Sequence, residues 1–177
     1  LIAINRAPNI YRKSFNFQKW KNYDHTLLEN IKKEAIKNEI EFDKELKGFD
    51  ISASAISTAR NHVHNMKLSN IIKIDGQDFF KSNGHNSTMV LMNPPYGKRI
   101  ELKKDYYKEI GDTLKQKYPN TCAWIISSEL EELKKIGLRT SKKIKLFNGA
   151  LECKLVKFEL YKGSKKFKKS QNAQSSM

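Results

Sequence analysis

The sequence predicts an α/β domain, a mostly parallel sheet with helices on both faces and an antiparallel edge. Three observations carry this. Short apolar runs alternate with segments of helical spacing from residue 24 to residue 137. Three of those runs end at or just before a polar side chain, namely Asp50, Asp78 and Asn93. Two alternating stretches close the domain, with Asn148-Gly149 between them as a hairpin signal.

Each element has a local reason. Asp24 is an N-cap for a helix over 24–40, where Leu27, Leu28, Ile31 and Ala35 recur at helical spacing. ELKGFDIS (45–52) reads as a strand ending at Asp50. The helix over 53–66 steps Ile56, Ala59, Val63 and Met66 along one face. NIIKI (70–74) is the next strand, with Asp78 just past it. STMVLM (87–92) reads as a buried strand running into NPPYG. A helix over 105–118 turns Tyr107, Ile110 and Leu114 inward. TCAWIISS (121–128) is a strand, and 129–137 a short helix that Gly137 stops. KKIKLFNG and ALECKLVKFELYK form the antiparallel pair. In such sheets ligands sit beyond the carboxyl ends of the strands, where Asp50, Asp78 and Asn93 are expected to converge.

The 177 residues suffice for one domain, drawn here over 1–161. Leu, Ile, Val and Phe make up about a quarter of the chain, enough for a core. The basic tail over 162–177 has five lysines and no acid, and is predicted to be disordered. A net charge of +15 points to a polyanionic partner, most simply nucleic acid. No apolar run reaches the ~20 residues of a membrane-spanning helix, so no membrane is expected. Cys122 and Cys153 sit in apolar runs as small core residues, which fits a cytoplasmic protein. The four histidines have no zinc-like spacing, so no metal is expected. Residues 1–23 interleave Arg6, Arg12 and Lys13 with Tyr11, Phe15, Phe17 and Trp20. Such a pattern can stack on bases. The plainer reading, aromatics packed on the domain as a covering segment, is preferred.

Asn93, Pro94, Pro95 and Tyr96 follow an apolar strand, and their types suit methylation of an exocyclic amine on a base. That nitrogen is a poor nucleophile, because its lone pair is delocalised into the ring. The Asn93 side-chain oxygen and the Pro94 carbonyl offer two acceptors for its two N–H groups. Proline rings keep the loop stiff, and Tyr96 offers a face for stacking. The lone pair is then aimed at an electrophilic methyl group, and positioning supplies much of the acceleration. A paired base must first leave its helix. Asp50 at a strand end can accept from both hydroxyls of an adenosine ribose, with Ile51 beside it. Asp78 can accept from an adenine amino group, with Phe79 beside the ring; Asp75 is the weaker candidate.

GFDIS, IKIDGQDFF, VLMNPPYGKRI and AWIISSELEELKKIGLRTSKKIKLFNGALECKL together resemble the catalytic domain of THUMP-associated RNA methyltransferases. They are most similar to the bacterial large-subunit ribosomal RNA guanine-N2 methyltransferases. INRAP and IYRKSFNFQKW fit the segment that follows the first cofactor motif of that family. The resemblance spans about residues 2–161. It implies a class I, Rossmann-like methyltransferase fold and S-adenosylmethionine as cofactor. The implied acceptor is a guanine amino group in 23S ribosomal RNA. Asn93, Pro94, Pro95 and Tyr96 would hold the base; Asp50, Ile51, Asp78, Phe79 and Asn93 would meet the cofactor. Lys98 and Arg99 are candidates for RNA contact, or else part of a solvated loop. The family's glycine-rich first motif and its RNA-binding THUMP domain are not found in these residues. The first strand of the family sheet lies between the strands ending at Asp50 and Asn93. Without it two inner edges stand unpaired, and the chain is expected to be a C-terminal piece of a longer protein. A DNA adenine-N6 methyltransferase uses the same NPPY chemistry, and a non-catalytic RNA-binding module would use the basic surface alone.

Overall fold

The structure, a computed structural model, describes residues 1–84, 89–95 and 105–162. Residues 163–177 of the tail predicted over 162–177 therefore lie outside the described residues, as do Tyr96, Lys98 and Arg99. The chain divides into two compact units, Leu1–Asp78 and Phe79–Met177.

The first unit is a strand–helix–strand crossover preceded by a helix and two short 3-10 turns. Helix α1 runs over His25–Lys37, and the Asp24 carboxylate accepts from the Leu27 N–H at 3.0 Å, as an N-cap should. Strand β1 (Leu46–Asp50) leads into α2 (Ala53–Asn65), which Ser52 caps through the Ala55 N–H. Strand β2 (Ile72–Gly76) returns parallel to β1, with Leu46 beside Ile72 and Asp50 beside Gly76. β2 thus starts and ends two residues later than its apolar run. The backbone of Ile71 is used in a turn, its N–H donating to the Leu68 carbonyl at 2.9 Å. Polar Asp75 and Gly76 then complete the strand because β1 continues to Asp50.

An arginine ties this unit together. Arg6 reaches both carboxylate oxygens of Glu39 at 2.8 and 2.6 Å, and donates to the Met66 carbonyl at 2.8 Å. Glu39 follows α1 and Met66 closes α2, so one guanidinium holds both helix ends. Its charge also lies where the helix dipole favours a cation. Asn5 adds a bond from its amide to the Asn38 carbonyl, at 2.9 Å.

The second unit carries β3 (Met89–Met92), α3 (Tyr106–Lys117), β4 (Cys122–Ser127), one-turn α4 (Glu132–Lys135), β5 (Thr140–Asn148) and β6 (Leu151–Glu159). Its sheet has the order β3-β4-β6-β5, parallel between β3 and β4 and antiparallel thereafter. Tyr107, Ile110 and Leu114 of α3 are buried with Ala123, Ile125, Val156 and Phe158 of the sheet. Gly111 lets α3 come close to the chain after α4, since a Cβ there would meet the Ile136 carbonyl.

Three details differ from the sequence reading. Of the buried strand expected over 87–92, residues 87 and 88 lie outside the described residues, and Met89–Met92 has a strand partner on one side only among the described residues, with Leu91 69% exposed. The helix over 129–137 shrinks to Glu132–Lys135, because the Glu129 N–H is held by Ser127 Oγ and the Leu130 N–H by the Ser128 carbonyl. The hairpin loop is Gly149-Ala150 rather than Asn148-Gly149, as Asn148 pairs with Leu151. Gly149 supplies the positive φ, 62°, that the turn needs. Among the described residues no ladder joins β1 to β3, so each has one edge without a strand partner.

Arg6 holds the Glu39 carboxyl below the ordinary glutamate range by hydrogen bonding, against a smaller opposing effect of burial. A lowered folded-state value gives stability above the unfolded value that is lost as pH falls through the folded one. Urea unfolding of wild type and Glu39→Gln should therefore differ at pH 7 and converge as pH drops below about 4. A gap independent of pH would remove the assigned role of the ion pair.

Candidate functional site

In the first unit the carboxyl ends of β1 and β2 stand side by side. The Gln77 N–H donates to the Asp50 carbonyl at 3.0 Å, which fixes the exit of β2 against that of β1. Asp50 and Asp78, separated on the chain by α2, therefore come to the same end of this sheet. The Asp50 side chain is exposed, and its Oδ1 accepts from the Ser52 N–H at 2.8 Å. That bond fixes the carboxylate at the entry of α2. Oδ2 has no hydrogen-bond partner among the described residues, so it can accept from a ligand hydroxyl. Ile51, 80% exposed, offers an apolar side chain next to it. A fixed acceptor beside an apolar surface fits the ribose and adenine of a nucleoside cofactor.

Asp78 is half-buried, and the aromatic residues that follow it pack. Phe79 stacks on Tyr118 at 5.8 Å with 15° between the planes, and meets Phe80 edge-on at 5.5 Å. Asp75, the weaker acidic candidate, is paired with Arg60 at 2.9 Å. Arg60 also donates to the Ile74 carbonyl at 2.8 Å, so this pair braces α2 on β2.

In the second unit Asn93 is exposed at the carboxyl end of β3, Pro94 is buried and Pro95 half-buried. The buried Pro94 restricts the backbone just after the strand, while the exposed Asn93 stays open to a ligand.

A feature that the sequence did not single out lies beside this loop. Met92 pairs with Ile125 in the parallel register, and β4 runs two residues further to end at Ser127. Ser127 is fully buried, shares a hydrogen bond of 2.7 Å with the Tyr107 hydroxyl, and accepts from the Glu129 N–H at 3.0 Å. Burial pushes the Tyr107 phenol up, and the bond to Ser127 acts the other way. The phenol therefore stays neutral and bonded, pinning α3 to the end of β4. In the sequence the only sign was a serine closing an apolar strand, which also fits a plain strand end.

The RMKL-like methyltransferase domain family matches residues 1–157. The chain belongs to that family. S-adenosylmethionine is the family's cofactor, and the fold is the Rossmann-like methyltransferase fold with a mixed sheet. A Synechocystis protein whose name assigns it to the RNA methyltransferases is 34% identical over 166 residues, covering 91% of this chain and 43% of its own length. The ribosomal RNA large subunit methyltransferase K/L of Cellvibrio japonicus is 30% identical over 173 residues, covering 90% of this chain and 23% of its own length. The chain thus spans less than half the length of these curated relatives. A solved structure described as a methyltransferase complexed with SAH superposes with a TM-score of 0.73 at 27% identity, covering 92% of this chain and 44% of that one. A Listeria monocytogenes structure described as an N6-adenine-specific DNA methylase gives 0.71 at 25% identity, covering 93% and 42%. Among the described residues no cluster of metal-ligating side chains occurs, and no helix is long and apolar enough to cross a membrane.

The Tyr107–Ser127 pair gives a testable consequence. Tyr107→Phe and Ser127→Ala should each lower the unfolding free energy by about 1 kcal/mol in urea titration. The double variant should lose less than the sum, because the bond between the two hydroxyls is removed by either single change. Simple additivity would show that the two hydroxyls do not act as a pair.

Proposed function

We propose that this chain is the ribose-binding and base-holding part of an S-adenosylmethionine-dependent RNA methyltransferase. Its substrate is the exocyclic amino group of a guanine in 23S ribosomal RNA, and its product N2-methylguanine. The observation that carries this reading is Asn-Pro-Pro at the carboxyl end of a parallel strand, in a chain of the RMKL-like family. The relative named for large-subunit ribosomal RNA supports the choice of substrate.

Each residue has a task in this reading. Asn93 accepts one amino proton through its side-chain oxygen, and the Pro94 carbonyl accepts the other. Pro95 stiffens the loop and Tyr96 stacks on the base. Asp50 accepts from the ribose hydroxyls with Ile51 against the adenine edge, and Asp78 and Phe79 serve the adenine amino group and ring. The cofactor supplies the electrophilic methyl group. Lys98 and Arg99 meet RNA phosphates, and the lysines of 162–177 add affinity without sequence preference. The longer protein is expected to carry a THUMP domain upstream and to act in the cytoplasm, where its substrate is.

The second reading, methylation of adenine N6 in DNA, is favoured by the likeness to the Listeria structure. Transfer of labelled methyl groups by the full-length protein to a 23S ribosomal RNA fragment and to DNA separates the two. RNA should be methylated, at guanine N2 on nucleoside analysis. Asn93→Ala should lower turnover by about 100-fold while leaving RNA affinity nearly unchanged. Methylation of DNA alone would establish the second reading, and full turnover by Asn93→Ala would remove the role given to the loop.

A further inference from the structure

We propose that the N-terminal segment presents Trp20 as a second RNA contact, a ring that stacks on an unpaired base away from the reacting one. This rests on the RNA reading above. Residues 1–23 hold five cations and no acid. Arg6 is paired with Glu39. Arg12, Lys13, Lys19 and Lys21 are exposed, and among the described residues none of them has a carboxylate within ion-pair distance. Their charge is therefore not neutralised by protein neighbours, and it favours a polyanion.

Between Lys19 and Lys21 stands Trp20, 68% exposed. Tryptophan is a ring that chains bury when they can, and one left out among cations is placed for a partner that is both flat and anionic. An unpaired nucleotide is such a partner: its base offers a π-face and its phosphates meet the lysines. A protein surface with an apolar pocket would leave those charges without a counterpart.

The ring also rests on a preformed support. Phe15 and Phe17 stack at 5.1 Å, Trp20 meets Phe17 edge-on at 6.2 Å, and Tyr23 lies 6.0 Å from Phe17. Gln18 holds the cluster through its side chain, accepting from the Phe15 N–H at 2.6 Å and donating to the Tyr23 hydroxyl at 3.2 Å. Arg12 lies over the Phe15 ring at 5.0 Å, with its Nε donating to the Ser14 carbonyl at 2.9 Å. Tyr11, the remaining ring of the segment, lies against Lys67 at 4.3 Å, so it packs on the domain as expected of a covering segment. Stacking on a base orders little that is not already in place.

The test is fluorescence anisotropy of the 177-residue chain with a fluorescein-labelled, unstructured single-stranded oligoribonucleotide and with a duplex RNA of similar length. Trp20→Ala should weaken single-strand binding about tenfold, with Trp20→Tyr within about twofold of wild type. Duplex affinity should not change, because paired bases offer no free face. Replacing Lys13, Lys19 and Lys21 by alanine should flatten the dependence of affinity on salt. Circular dichroism of Trp20→Ala checks the fold, and the tyrosine variant separates loss of stacking from loss of structure. Wild-type binding that Trp20→Ala leaves unchanged would overturn the inference and assign the ring to a protein partner. Absence of wild-type binding to the single strand would overturn it as well. The RNA reading itself fails on a different result, methyl transfer to DNA and not to RNA.

Discussion

Parallel pairing is the constraint on which the rest depends. A strand can lie parallel to the previous one only if the chain crosses back over the sheet, and each crossover sets two carboxyl ends side by side. β1 and β2 do this through α2, and β3 and β4 through α3. Every candidate functional side chain among the described residues sits at such an end or shortly after it. Asp50, Ile51 and Asp78 follow from the first crossover, and Asn93, Pro94 and Pro95 from the second. The functional residues are thus placed by backbone geometry before any side chain specifies chemistry.

The packing that holds these ends differs between the units. In the second, a buried cluster from α3, β4 and β6 fixes the helix on the sheet, and Tyr107 and Ser127 extend that fixation to the strand end. In the first, neither α1 nor α2 contains a buried residue, and polar ties replace the core. Arg6 joins both helix ends, Arg60 braces α2 on β2, and Asp50 receives the Ser52 N–H. Leu91, Met89 and Ile51 remain well exposed. β1 and β3 each lack a strand on one side among the described residues.

Most elements could be read from residue types, because capping and spacing act locally. Asp24 and the Tyr107–Ile110–Leu114 face specify their helices without help from distant residues. The errors share one physical origin: pairing partners and hydrogen bonds from outside the segment. β2 continues through Asp75 and Gly76 because β1 is long enough to pair with them, and nothing in IKIDG itself announces this. The run MVLM is apolar on both faces, as an interior strand would be, yet among the described residues it has a strand partner on one side only. ELEELKKIG has helical spacing, but the amides of Glu129 and Leu130 are already bonded to the end of β4. At the candidate site, the acids and the Asn-Pro-Pro run were legible because their chemistry is unusual after apolar strands. Ser127 was not, because its importance comes from burial beside Tyr107. Trp20 was visible as a residue type, but its exposure depends on how Phe15, Phe17 and Tyr23 pack.

Cofactor binding in the proposed function rests on the fixed carboxylate at the end of β1. Calorimetric titration of S-adenosylmethionine into the full-length protein, as wild type and as Asp50→Asn, tests it most directly. The asparagine keeps an acceptor for the Ser52 N–H and loses the second carboxylate oxygen, so the local fold is preserved while the ribose contact is weakened. The predicted result is a dissociation constant raised by about tenfold or more. Equal affinity for the two proteins would contradict the assignment of Asp50 to the cofactor.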